Sequence, residues 1–161
     1  MQRVKGGLLT FLIIILFASL GVAADKSTNH RSFEANLSGN EELPPVQTKA
    51  KGEAKFQFSR ERDKLTYRLT ISNIKDVIAG CIRKGKRGEN GPPVINLFTE
   101  PKKEDITGNL LAEGKVEPYL LVGPLKGKSL DSLIQLMEAG EAYVNVQTAK
   151  HPGGEIRGQI K

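Results

Sequence analysis

Apolar and polar side chains alternate with a period of two along much of this chain, the pattern of strands with one buried and one wet face. Ala54, Phe56 and Phe58 alternate with Lys55, Gln57 and Ser59, and Leu65, Tyr67, Leu69 and Ile71 alternate with Thr66, Arg68, Thr70 and Ser72. The short, fully charged Arg60-Glu61-Arg62-Asp63 between them predicts an antiparallel hairpin. Phe33, Ala35 and Leu37 give an earlier strand of the same parity, and further strands are expected over residues 77–82, 94–98, 108–112, 114–121, 142–148 and 155–160. One segment has helical spacing instead. Leu130, Leu133, Ile134 and Met137 stand at i, i+3, i+4 and i+7, with Ser129 at the N-cap position and Gly140 at C′. The prediction is an all-β fold, an antiparallel, Greek-key-like β-sandwich or flattened barrel of about eight strands with one short crossover helix.

A different apolar pattern opens the chain. Residues 8–20 carry no charge and follow Arg3 and Lys5, and Val22-Ala23-Ala24 puts small residues at the −3 and −1 positions before Asp25. This is the three-part layout of a secretory signal peptide, with cleavage expected after Ala24, and the run is shorter than the about 20 apolar residues a membrane span needs. The expected organisation is a signal peptide at 1–24, a polar leader at 25–31 and a single domain at 32–161. The location is then secreted or periplasmic, with no stable membrane span after cleavage.

The 161 residues are 39% hydrophobic and 26% charged, which is globular composition. Removing Arg3 and Lys5 with the signal takes 24 cations to 22 against 18 acids, so the net charge falls from +6 to +4. Four cations cluster in Arg83-Lys84-Gly85-Lys86-Arg87, but there is no Trp and there are few other aromatics for base stacking, which disfavours nucleic-acid binding. Arg83, Lys84, Lys86 and Arg87 are therefore read as an anion or ligand loop, with an anionic polymer or an extracytoplasmic protein as partner. The alternative is that Arg83 only pairs with a local acid such as Glu89.

Chemistry beyond this is sparse. Cys81 is the single cysteine, so neither an intramolecular disulfide nor a Cys-x-x-Cys site can form. His30 and His151 are the only histidines, too few for a multi-histidine metal centre, and there is no Gly-x-Ser-x-Gly elbow. Gly85, Gly88 and Gly91 superficially resemble a phosphate loop but lead into Pro92-Pro93 rather than a helix. Neither a catalytic residue nor a cofactor is expected. Glu155 and Arg157 share one face of their strand, near the polar Asn145 and Gln147. They are either a solvated ion pair or part of a structural motif in which Glu42 or Glu155 fixes Arg157 and stiffens a sheet edge.

Four segments together resemble the CHRD domain, a module named from chordin and also found singly in exported bacterial and archaeal proteins. They are Phe33 to Gly39, Glu42-Leu-Pro-Pro-Val46 with Gln47-Thr48, Gly88 to Pro92 followed by Ile95 and Leu97, and Ala139 to Val146 followed by Pro152 to Ile160. Many members of that family carry His-Ile-His before the central loop and a further His in Asn-Val-His-Thr. Here those positions read Cys81-Ile82-Arg83 and Asn145-Val146-Gln147-Thr148. A three-histidine metal site, which the resemblance would otherwise imply, is thus lost. The chain is expected to be an exported, non-enzymatic, stand-alone member of prokaryotic type, serving as a binding or envelope-associated structural module. The competing expectation is a metal- or redox-active protein that uses Cys81.

Overall fold

Eight strands make one antiparallel sheet in the computed structural model, which describes residues 31–98 and 106–161, with backbone alone for 106–111. The expected signal segment and the leader up to residue 30 lie outside the described residues. The strands are β1 (Ser32–Ser38), β2 (Lys51–Phe58), β3 (Leu65–Ile74), β4 (Val77–Lys84), β5 (Pro93–Phe98), β6 (Ile106–Val116), β7 (Ala142–Thr148) and β8 (Ile156–Gln159). A single α-helix among the described residues, α1 (Leu130–Glu138), joins β6 to β7.

The strand order is β5-β4-β7-β8-β1-β2-β3-β6. β2 and β3 form the predicted hairpin and β1 pairs beside it to make a meander, with Phe33 opposite Phe56 and Phe56 opposite Tyr67. β6 then returns beside β3, β7 beside β4 and β8 beside β1, crossovers of the Greek-key kind. The sheet curls until its edges approach, and Ile95 of β5 bridges to Leu121 just past β6. The all-β, eight-stranded architecture thus takes the flattened-barrel form, one sheet rather than two.

Two local expectations change. The segments expected at 108–112 and 114–121 are one strand up to Val116, after which Pro118–Leu120 turns as a 3-10 helix. Gly114 does not break the strand; a Cβ there would stand 2.9 Å from the Tyr67 hydroxyl, so its bare backbone makes room for that ring. β8 is not an edge, since β7 and β1 flank it.

Leu37, Phe56, Phe58, Leu65, Leu69, Ile71, Ile82, Val144 and Ile156 fill the barrel interior, and α1 adds Leu130, Leu133, Ile134 and Met137 to the same core. Ser129 and Gly140 flank the helix as expected, although the Ser129 side chain makes no capping hydrogen bond. β7 departs from simple alternation. Ala142, Val144 and Val146 join the core, yet Tyr143 and Asn145 between them are buried as well, so something covers the outside of the barrel at this point.

Candidate functional site

The cover consists of two loops, residues 39–50 and 85–92, lying over the outer face of β4, β7 and β8. On that face Cys81, Asn145 and Arg157 stand opposite one another in a row across the three strands, and Arg83 stands opposite Tyr143 in the next row. Period-two geometry produces this arrangement, because Ile82, Val144 and Ile156 point inward and force their neighbours outward. The 3-10 turn Gly39–Glu41 then delivers Glu42 onto the row, where its Oε1 accepts a 2.9 Å hydrogen bond from Asn145 Nδ2.

Arg157 is only 2% exposed. Its Nη2 donates to the Lys86 carbonyl at 2.9 Å, its Nη1 to Asn90 Oδ1 at 3.2 Å, and its guanidinium carbon lies 3.5 Å from the centre of the Tyr143 ring. Tyr143 in turn accepts through its hydroxyl from the Gly91 N–H at 3.1 Å, and Arg83 Nη1 donates to the Gly91 carbonyl at 3.1 Å. Gln159 Nε2 reaches the Gly85 carbonyl at 3.0 Å. Loop 85–92 is therefore strapped to the sheet by Arg83, Tyr143, Arg157 and Gln159.

Glu42 is 5% exposed. Burial raises its carboxyl above the ordinary value, and the positive charge of Arg157, the Asn145 hydrogen bond and Arg83 pull it part of the way back. Burial likewise pushes the Cys81 thiol up, against the opposing effect of the neighbouring Arg83. A raised thiol is the less nucleophilic form.

The residues singled out in the sequence fall into two groups. Glu42, Asn145 and Arg157 meet in this cluster. Glu155 does not: its carboxylate accepts from Thr48 at 2.7 Å and Thr148 at 2.8 Å, which pins the end of loop 39–50 to the β7–β8 turn. Arg157 is hydrogen-bonded by a carbonyl and an amide of loop 85–92 rather than by either carboxylate. The basic loop is also less available than its composition implies. Arg83 is half-buried and faces Gly91 rather than Glu89, Lys86 lies 3.5 Å from Glu141, and Arg87 pairs with Glu41 at 3.0 Å; neither Arg83 nor Lys84 makes an ion pair among the described residues. Tyr143 and Asn90 were not anticipated. The signal for Tyr143 was a large aromatic on the nominally wet face of β7, beside Asn145.

Comparison with known families matches the CHRD domain over residues 33–160. The chain belongs to the CHRD domain family. No curated protein and no solved structure matches it. A CHRD domain is a β-rich module of extracellular type, and among the described residues no helix is long and apolar enough to cross a membrane. The three positions at which CHRD domains of the histidine-bearing kind would hold a metal are here Cys81, Arg83 and Gln147, all on the outward face of β4 and β7. They do not fit one: a lone buried cysteine, a weakly ligating amide and a permanent cation beside them make a poor donor set. Among the described residues no group of three or more His, Cys, Asp or Glu is placed to bind a metal ion.

Proposed function

We propose that this CHRD domain is exported and acts without catalysis, as a binding or envelope-associated structural module for an anionic polymer or an extracytoplasmic protein. The observation that carries the reading is the buried Arg157 cluster. Most of its hydrogen-bonding groups are engaged by the protein's own loops, while Arg83 Nε, Asn145 Oδ1 and Gln159 Oε1 are buried without a partner among the described residues, so the face that could have been a reactive site serves chiefly as a lock that holds the loops to the barrel. The charged stretch before the apolar run of residues 8–20 and the small residues before Asp25 support export. The burial of Cys81, the guanidinium of Arg83 beside it and the lack, among the described residues, of a group of metal-ligating side chains support this reading over the metal or redox alternative.

The reading is tested on native material. Mass spectrometry of the envelope fraction should find a chain starting at or near Asp25, and retention of that chain on a dextran sulfate column should fall steeply as salt shortens the Debye length to about 8 Å. A chain still carrying residues 1–24 in the membrane fraction, or one that passes through the column at low salt, overturns it.

A further inference from the structure

The outer face of the barrel on the β1–β2–β3 side carries an open groove of about 630 Å³ that continues into a second of about 400 Å³, the two sharing Glu34 and Lys161 in their walls. A transverse row of side chains crosses it. Lys161 exchanges both backbone hydrogen bonds with Glu34, Glu34 stands opposite Lys55, Lys55 opposite Arg68 and Arg68 opposite Glu113. Directly opposed residues share a face, so this row crosses β1, β2, β3 and β6 with Lys161 beside β1, roughly 19 Å at ~4.8 Å per step.

Lys55 and Arg68 are like charges placed side by side, an arrangement that weakens a sheet. Their nearest acids compensate only at the surface: Lys55 pairs with Glu53 at 3.0 Å and Arg68 with Glu113 at 3.1 Å, all four side chains well exposed. Across the two connected grooves the cations are Lys51, Lys55, Arg68, Arg87 and Lys161; Glu53, Glu113 and Glu41 pair with Lys55, Arg68 and Arg87, and Glu34 lines both grooves. Neither Lys51 nor Lys161 has an ion-pair partner among the described residues. The remaining polar lining is hydroxyl and amide: Ser32, Gln57 and Thr66 in the larger groove, Asn36 and Ser38 in the smaller.

Cations interleaved with short neutral donors and acceptors in a long open groove match a chain bearing both hydroxyls and carboxylates. We infer that this groove binds an acidic polysaccharide, with Lys55 and Arg68 meeting its carboxylates and the hydroxyl and amide side chains meeting its sugar hydroxyls. The inference rests on the reading of the chain as an exported binding module, and it moves the anion-binding surface from loop 83–87 to the sheet.

The test is calorimetric titration of the purified protein with polygalacturonate at roughly 0.01 M salt, where the Debye length is about 30 Å. Lys55→Gln/Arg68→Gln should weaken binding at least about tenfold, the low end of what charge focused in a groove confers. Lys84→Gln/Lys86→Gln should leave it within about threefold, since these side chains lie outside both grooves. A thermal melt of each variant confirms that the exposed substitutions leave the fold intact. Unchanged affinity in the groove variant with loss in the loop variant overturns the inference and leaves the proposed function standing. Absence of polygalacturonate binding by the wild type, or equal binding of a single-stranded polynucleotide, overturns it too, because the face would then read no sugar or only charge.

Discussion

Replacing Arg157 by methionine is the sharpest test of the buried cluster, because the new side chain keeps much of the volume and removes only the charge and its donors. The substitution strands the Lys86 carbonyl and Asn90 Oδ1, removes the cation from the Tyr143 ring and leaves Glu42 with Arg83 as its remaining counter-charge. Removing one partner from a buried charge network costs about 3–5 kcal/mol, and the lost ring contact is already within that figure. Whole-domain stability is about 5–15 kcal/mol, so the variant should fold with a melting temperature lowered by roughly 10–20 °C. The measurement is urea and thermal denaturation by circular dichroism. Adding Glu42→Gln should recover part of the loss, since no buried carboxylate then lacks its cation, and a double-mutant cycle should return a coupling of about 1–3 kcal/mol. A loss below about 1 kcal/mol for Arg157→Met, or a double variant that costs the sum of the two singles, would refute the network.

Cys81 should resist a thiol reagent in the native protein and react on unfolding, and Cys81→Ser should leave metal content at background; stoichiometric copper or zinc lost in that variant would revive the metal reading. Glu42, raised above the ordinary 4.5, takes up a proton on folding, so its contribution favours the fold below its raised folded value and is lost as pH rises through it. Wild type should therefore gain stability relative to Glu42→Gln as pH falls from neutral towards 4.5, and a flat difference in denaturation midpoint refutes this. Gly154 has φ of +139°, and a Cβ there would run into the Asn145 amide and the Glu42 carboxylate, whereas Gly153 faces open space. Gly154→Ala should cost about 2–3 kcal/mol and Gly153→Ala less than about 0.5, an ordering that chemical denaturation reads directly.

The barrel strands were legible because each presents one face to oil and one to water, which writes period two into β1, β2 and β3 and period 3.6 into Leu130, Leu133, Ile134 and Met137. What the pattern could not carry was covering from outside. Tyr143 and Asn145 alternate correctly with Val144 and Val146, and nothing local distinguishes a wet outer face from one lying under a loop. The partners of Arg157 lie 67 and 71 residues away, and one is a backbone carbonyl, an acceptor that every residue has. A search for carboxylates could not find it. The basic loop misled for a related reason: composition counts charges, but Arg83 turns inward to Gly91 and Arg87 sideways to Glu41. The groove cations without an ion-pair partner among the described residues, Lys51 on β2 and Lys161, stand as single residues rather than as a run.

The substitutions at the two β4 positions have one physical consequence rather than two. Arg83 holds Gly91 by its carbonyl, Gly91 presents its N–H to Tyr143, Tyr143 lies under Arg157, and Arg157 grips Asn90 and Lys86 in the same loop. The circuit closes on loop 85–92, with Glu42 facing both guanidinium groups. A metal cation at this face would have to sit among two permanent positive charges, so the contacts that fasten the loop are the ones that exclude the ion. Exchanging Arg83 alone for an imidazole would therefore release one end of the loop before it supplied one ligand, and Arg157 would still repel the metal. In this chain the face has a single coherent use, which is to hold two loops against the barrel.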